Sequence, residues 1–241
     1  MRLPSDQPGR RYRRPEGAEA EAQPGSRGRV LRNRLGILRK REMDRAEHEA
    51  LLAAQSRYLE RITPETQFTA ALLREMHRDW LGGIYAWAGQ YRTVELQKGD
   101  FTWPPASRVA DNVAAFEAGP LRELTPCRPG PLRQAARRMA EVHAEFLLIH
   151  PFREGNGRLA RWVAGLMALQ AGLPTPQYRF EGRGSAAEQR RYLEAVERGY
   201  LGEHGWLTDY FVEALARRAP ATASPRDLGL VDPRPRRLGR P

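Results

Sequence analysis

The segment His150-Pro151-Phe152-Arg153-Glu154-Gly155-Asn156-Gly157-Arg158, continued by Leu159-Ala160-Arg161, gathers more chemistry than any other stretch of the 241-residue chain. Histidine is the side chain best matched to proton transfer near neutral pH. Pro151 drives His150 out of right-handed helical backbone, which places this base on a rigid stem at the mouth of a loop. Gly155 and Gly157 flank Asn156 and are free to take φ > 0, turning successive backbone N–H groups toward one point. A helix begins directly afterwards, and its positive end adds to an anion site. Arg158 and Arg161 lie three apart on one face of its first turns. Cations there oppose the helix dipole by about 0.3–1 kcal/mol each, a placement that makes sense when an anion lies between. Glu154 adds a carboxylate, and a hard cation such as Mg²⁺ shared between Glu154 and phosphate oxygens reconciles the two signs. A base, a metal ligand, an anion cradle and two arginines within twelve residues describe a phosphoryl- or nucleotidyl-transfer site.

The elements that must hold this loop read as helical. Ala46, Ala50, Leu51, Ala54, Tyr58, Leu59 and Ile62 recur at helical spacing between Met43 and Ile62. Thr63-Pro64-Glu65 reads as a stop and restart, with Thr63 as N-cap and a second helix running to about Trp80, where Gly82-Gly83 breaks it. Further helices are expected at about 107–118, 131–149, 157–171, 186–199 and 205–218, with Pro131 opening one and Gly172 and Pro174 closing another. Residues 91–103 differ: β-branched and aromatic residues flank Lys98-Gly99-Asp100, the pattern of a short exposed β-hairpin. The fold class is therefore all-α, a helical bundle with one hairpin.

Composition bounds the remaining possibilities. The net charge is +11, yet residues 1–41 carry net +8, residues 219–241 carry net +3, and residues 42–218 are neutral. The chain thus divides into a basic N-terminal extension (1–41) and a basic C-terminal tail (219–241), both expected to be disordered, around a domain at 42–218. Arg10-Arg11-Tyr12-Arg13-Arg14 and Arg234-Pro235-Arg236-Arg237 could hold phosphates. Lysine occurs only at 40 and 98, however, and no nucleic-acid-reading motif accompanies the arginines, so nucleic acid is not assigned as a partner. A single cysteine, Cys127, excludes an internal disulfide and a Cys-rich zinc site. No run of eighteen apolar residues is present to span a membrane, and the arginines near the start precede no apolar core of a secretory signal. These features lead to the expectation of a cytoplasmic protein.

The string from His150 to Arg161 resembles the signature of the Fic (filamentation induced by cAMP) family, His-Pro-Phe-x-Asp/Glu-Gly-Asn-Gly-Arg-x-x-Arg, at every specified position. Gly83-Ile84-Tyr85-Ala86-Trp87-Ala88-Gly89-Gln90-Tyr91-Arg92 is similar to the segment leading into that family's hairpin flap. The resemblance implies a Fic-type fold over roughly 42–215 and Mg²⁺-dependent transfer of AMP from ATP to a Ser, Thr or Tyr hydroxyl of a target protein. In that scheme His150 deprotonates the hydroxyl and Glu154 ligates Mg²⁺. Gly155, Asn156 and Gly157 bind phosphates through backbone and side chain, and Arg158 and Arg161 neutralise the β- and γ-phosphates. Phe152 anchors the loop in the core. The flap, Thr93, Val94, Glu95, Leu96, Gln97, Lys98 and Gly99, clamps the target as an added strand, and Tyr192 matches a tyrosine near the adenine pocket.

The resemblance leaves other donors and chemistries open: UMP, phosphocholine, or phosphorylation with the nucleotide reversed. Gly157 favours the AMP orientation, because kinase-like relatives carry lysine there. A catalytically idle interaction module with nucleic-acid-binding tails is a reading from a different class, opposed by the intact His150, Glu154, Asn156 and Arg161. Autoinhibited members carry Ser/Thr-x-x-x-Glu-Gly/Asn. Here only Ser56-Arg57-Tyr58-Leu59-Glu60 approaches it, with Arg61 following, so either inhibition comes from a separate antitoxin-like partner or no inhibition exists. Elsewhere, His143 continues an apolar stripe and reads as a hydrogen-bonded core histidine, and His77 beside Asp79 reads as surface or packing. Cys127 has no evident base.

Overall fold

A computed structural model describes residues 18–182 and 184–217. The arginines at 10–14 and the tail 219–241 lie outside the described residues. The elements are α1 (Lys40–Arg61), α2 (Ala70–Leu81), β1 (Gln97–Lys98), β2 (Phe101–Thr102), α3 (Val109–Phe116), α4 (Arg122–Leu124), α5 (Leu132–Ile149), α6 (Asn156–Gln170), α7 (Ser185–Gly199) and α8 (Gly205–Ala216). The fold is all-α apart from the antiparallel pair β1–β2, with Gln97 opposite Thr102 and Lys98 opposite Phe101.

The central element is α5, which packs against α3, α6, α7 and α8. It buries residues on most of its circumference, including Ala136, Met139, Ala140, Ala144, Phe146 and Leu147, as expected of a helix enclosed on several sides. Small residues set its close contacts. A Cβ at Gly199 of α7 would lie 2.7 Å from the Ala144 Cβ, so glycine lets the two backbones approach. Next in the chain, α6 buries Leu159, Ala160, Val163, Ala164 and Met167. The loop between α5 and α6 therefore leaves one buried helix and enters another, a rigid setting for His150–Gly155.

Three expectations are corrected. The second helix starts at Ala70, not Pro64: Thr69 is the N-cap, its side chain accepting from the Leu72 N–H at 3.1 Å. Residues 63–68 stay non-helical because distant partners take their polar groups. Gln170 Nε2 donates to the Thr63 and Thr66 carbonyls, and the Phe68 N–H donates to Thr125 Oγ1. The hairpin is shorter than 91–103, because Val94 and Leu96 are buried with Trp103 in a small apolar cluster of their own. The helix expected at 107–118 begins at Val109 and gives way to a wider turn over Glu117–Leu121, where Gly119 leaves helical backbone and Pro120 follows.

Part of the basic extension also lies against the domain. Ala22 and Leu31 form an antiparallel bridge, Val30 joins the main core, and the Arg34 N–H donates to the Ile84 carbonyl. Composition saw the arginines of this stretch and missed the apolar residues between them.

Candidate active site

His150 ends α5 in left-handed backbone (φ 51°, ψ 60°), its N–H still donating to the Phe146 carbonyl at 3.0 Å. Pro151 does exclude the right-handed helix, but the chain turns left rather than extending. A non-glycine residue in this region is strained, and such strain clusters at sites that need one fixed geometry. Nδ1 of His150 lies 3.0 Å from the Leu147 carbonyl. A carbonyl only accepts, so Nδ1 carries the proton and Nε2 keeps its lone pair. Trp103 lies against the imidazole at a ring separation of 4.2 Å. Burial pushes the His150 pKa down to about 4, with Arg92 and Lys98 opposing a second positive charge. The imidazole is thus a neutral base at physiological pH.

The loop is braced from inside. Asn156 Oδ1 accepts from the Phe152 N–H at 2.9 Å and Nδ2 donates to the Phe152 carbonyl at 2.7 Å. This corrects the expected role of Asn156: its side chain is buried and committed to the loop, leaving only its backbone for an anion. Phe152 is buried, as expected, and stacks on His77 at 3.9 Å. His77 is a core residue rather than a surface one. Its Nδ1 accepts from the Gly89 N–H at 2.8 Å, so Nε2 donates to the Glu154 carbonyl at 3.0 Å. Burial lowers its pKa to about 4 and keeps that neutral tautomer. Gly155 takes φ +86°, and a Cβ there would sit 2.8 Å from Trp80 Cζ3. Gly157, by contrast, is an ordinary helical residue and does not take positive φ.

Gly155 caps α6 without a side-chain bond, so the first N–H groups of the helix lack intrahelical acceptors and face the loop. The two arginines differ. Arg158 pairs with Glu47 at 2.7 Å and with Glu154 at 3.4 Å, and lies over Trp80 at 4.8 Å. Buried Glu47 also accepts from the Tyr85 hydroxyl at 2.5 Å. Arg161 has no carboxylate partner among the described residues. Together the two line a cavity of about 340 Å³ between α1, α6 and the segment 175–178. Tyr192 does not line it. It is 4 % exposed, and its hydroxyl lies 2.7 Å from His143 Nε2.

Arg92 is the residue that sequence reasoning undervalued most. Its side chain is fully buried and holds four carbonyls: His150 (2.8 Å), Val94 (3.0 Å), Pro104 (2.6 Å) and Ile149 (3.4 Å). Its N–H donates to the Pro151 carbonyl at 2.8 Å. One guanidinium thereby ties both ends of the hairpin to the residue carrying the base. Of the flap residues, Thr93 is held by the Glu19 carboxylate and Glu95 accepts from the Ala106 N–H. Val94 and Leu96 face inward; Gln97, Lys98 and Gly99 form the turn side. Glu19 also offers its carbonyl to Arg153 Nε at 3.1 Å, so the N-terminal segment spans flap and loop.

Among the described residues no group of three or more His, Cys, Asp or Glu could hold a metal ion unaided. Mg²⁺ needs no such cage, since one carboxylate with substrate phosphates and water suffices. Glu154 fits that role. It is part-exposed, and its Oε1 takes the Gly155 N–H and Arg158 while Oε2 carries no hydrogen bond among the described residues.

The Fic/DOC family profile matches residues 67–168. The chain is 32% identical over 178 residues to "Probable protein adenylyltransferase y4lH" of Sinorhizobium fredii, covering 72% of this chain and 85% of that one. It is 28% identical over 207 residues to "Probable protein adenylyltransferase Fic" of Salmonella typhimurium, covering 83% and 94%. Its fold is similar to the crystal structure of the BepC protein of Bartonella tribocorum with bound AMPPNP, at TM-score 0.60 and 20% identity over 76% of this chain and 91% of that one. With the signature loop complete between two buried helices and relatives matched over most of their length, the chain belongs to the Fic/DOC family.

Proposed function

We propose that the protein is an adenylyltransferase that moves AMP from ATP to a Ser, Thr or Tyr hydroxyl of a target protein. The observation that carries this reading is the His150 tautomer: a neutral imidazole with Nδ1 tied to the Leu147 carbonyl and Nε2 left as an acceptor. In the reaction Nε2 takes the proton of the target hydroxyl as its oxygen bonds to the α-phosphorus. The bond from that phosphorus to the bridging oxygen breaks, and pyrophosphate leaves. The N–H groups at the start of α6, without acceptors among the described residues, receive phosphate oxygens, with Gly157 leaving room for close approach. Arg161 brings an uncompensated positive charge to the β- and γ-phosphates, while Arg158 serves there within its pairing to Glu47 and Glu154. Mg²⁺, when bound with ATP at Glu154, supplies charge neutralisation on the polyphosphate.

The hairpin receives the target. Its strands are short and its edge backbone is available beside His150, so an extended target segment adds along β1 and Lys98. A separate inhibitory partner would act through the cavity between α1 and α6, because Arg161 there lacks a carboxylate partner among the described residues. No described helix is long and apolar enough to cross a membrane. The test separates chemistry from binding. His150→Ala should bind ATP with wild-type affinity in calorimetry and leave no AMP on any target band. Residual transfer at more than a tenth of the wild-type rate would remove His150 as the base.

A further inference from the structure

We propose that Tyr192 is a positioning residue for Arg161, closing an aromatic and hydroxyl cage that holds this guanidinium without a counter-charge. The inference rests on the reading of Arg161 as a triphosphate ligand. The guanidinium carbon of Arg161 lies 5.4 Å from the Phe180 ring and 5.8 Å from the Tyr178 ring. Tyr192 closes the group, with its ring 5.2 Å from Phe180 and 6.0 Å from Tyr178 and its hydroxyl interacting electrostatically with Arg161.

The direction of each bond follows from donor and acceptor rules. His143 Nδ1 lies 3.2 Å from the Ala160 carbonyl, so it must donate, which leaves Nε2 as an acceptor. Tyr192 O–H therefore donates to Nε2 at 2.7 Å, and the lone pairs of its oxygen are left to receive an Arg161 N–H. Burial keeps His143 neutral, with a pKa near 3, so it never competes by donating to the tyrosine. These bonds run from the carbonyl of the residue preceding Arg161 to the Tyr192 oxygen, whose remaining lone pairs are the acceptor that the proposal assigns to the guanidinium. Every member apart from Arg161 is neutral. Arg158 shows the contrast: it must share its carboxylates with any phosphate it meets, whereas the caged cation is ready-made.

The test is calorimetric binding of ATP and AMP to the full chain as wild type, Tyr192→Phe, Arg161→Ala and the double variant. Phe180→Leu is included as a second cage variant that spares the His143 bond. Tyr192→Phe keeps the ring and should weaken ATP about five- to tenfold while leaving AMP unchanged, and it should add nothing in the Arg161→Ala background. Phe180→Leu should shift ATP in the same sense. Equal loss of ATP and AMP, or a loss undiminished in the Arg161→Ala background, would overturn the proposal and reduce Tyr192 to core packing. If Arg161→Ala leaves the preference for ATP over AMP intact, the reading of Arg161 as a triphosphate ligand fails instead.

Discussion

Gly155 and Gly157 look symmetrical in Gly-Asn-Gly, and replacing each by alanine should give opposite effects on stability. Gly155 takes φ +86°, and an added Cβ would meet Trp80 Cζ3 at 2.8 Å, Trp80 Cη2 at 3.0 Å and Leu81 Cδ1 at 3.3 Å. Left-handed backbone costs an alanine about 1–2 kcal/mol. Overpacking against a buried ring costs about 1–3 kcal/mol more. The lost freedom of the unfolded chain returns about 0.4–1 kcal/mol, so Gly155→Ala should destabilise by about 2–4 kcal/mol. Gly157 is helical, and its Cβ would meet only Arg161 Nη1, at 3.5 Å. Gly157→Ala should therefore stabilise by about 0.5–1 kcal/mol. The added methyl would nevertheless stand between the start of α6 and the Arg161 guanidinium, so both variants should lose transferase activity, one by displacing the loop and one by crowding phosphate. Urea unfolding midpoints at constant m-value read the stability effect, and ATP titration reads the site. Equal destabilisation by the two substitutions would refute the reasoning, because it would mean that the two glycines share one backbone conformation.

Two further outcomes follow from buried groups. His143 and His77 have pKa values pushed down to about 3 and about 4 by burial, below the ordinary 6.5, so the unfolded chain binds protons that the folded chain rejects. Stability should be independent of these groups above pH 6.5 and fall as pH drops from 6.5 to about 4 for His77 and to about 3 for His143, by about 2 kcal/mol per histidine at pH 5. Unfolding midpoints that match at pH 7 and pH 5 would contradict this. Arg92→Lys should keep a positive charge but lose the fork that reaches Val94, Pro104 and His150 carbonyls together. Hydrogen exchange across residues 93–103 should rise and the KM for target should increase, with ATP binding little changed. Unaltered exchange in the hairpin would show that Arg92 does not tie it to the loop.

The site was legible in the sequence where its chemistry is local. His150, Glu154 and Gly155 are neighbours in the chain, and a proline, a carboxylate and a glycine each limit backbone or charge within a few residues. The helical cores of α5 and α6 were legible for a similar reason, since their apolar spacing is a property of one element. What sequence could not show is set by partners far along the chain. Arg158 pairs with Glu47, and the bond from His77 to the Glu154 carbonyl spans 77 residues. Neither Glu47 nor His77 differs in its local pattern from a packed helical residue. Asn156 was read as a phosphate ligand because its type permits that role, but whether its amide turns outward or inward depends on the loop geometry. Thr63-Pro64 carried a sound capping signal, overridden by Gln170 from α6.

The most direct measurement incubates the full chain and a bacterial lysate with Mg²⁺ and ATP labelled at the α-phosphate or, separately, at the γ-phosphate, with His150→Ala as control. The account predicts protein-bound α-label without γ-label, absent from the variant. Protein-bound γ-label without α-label would contradict it, because the terminal phosphate would then be the transferred group.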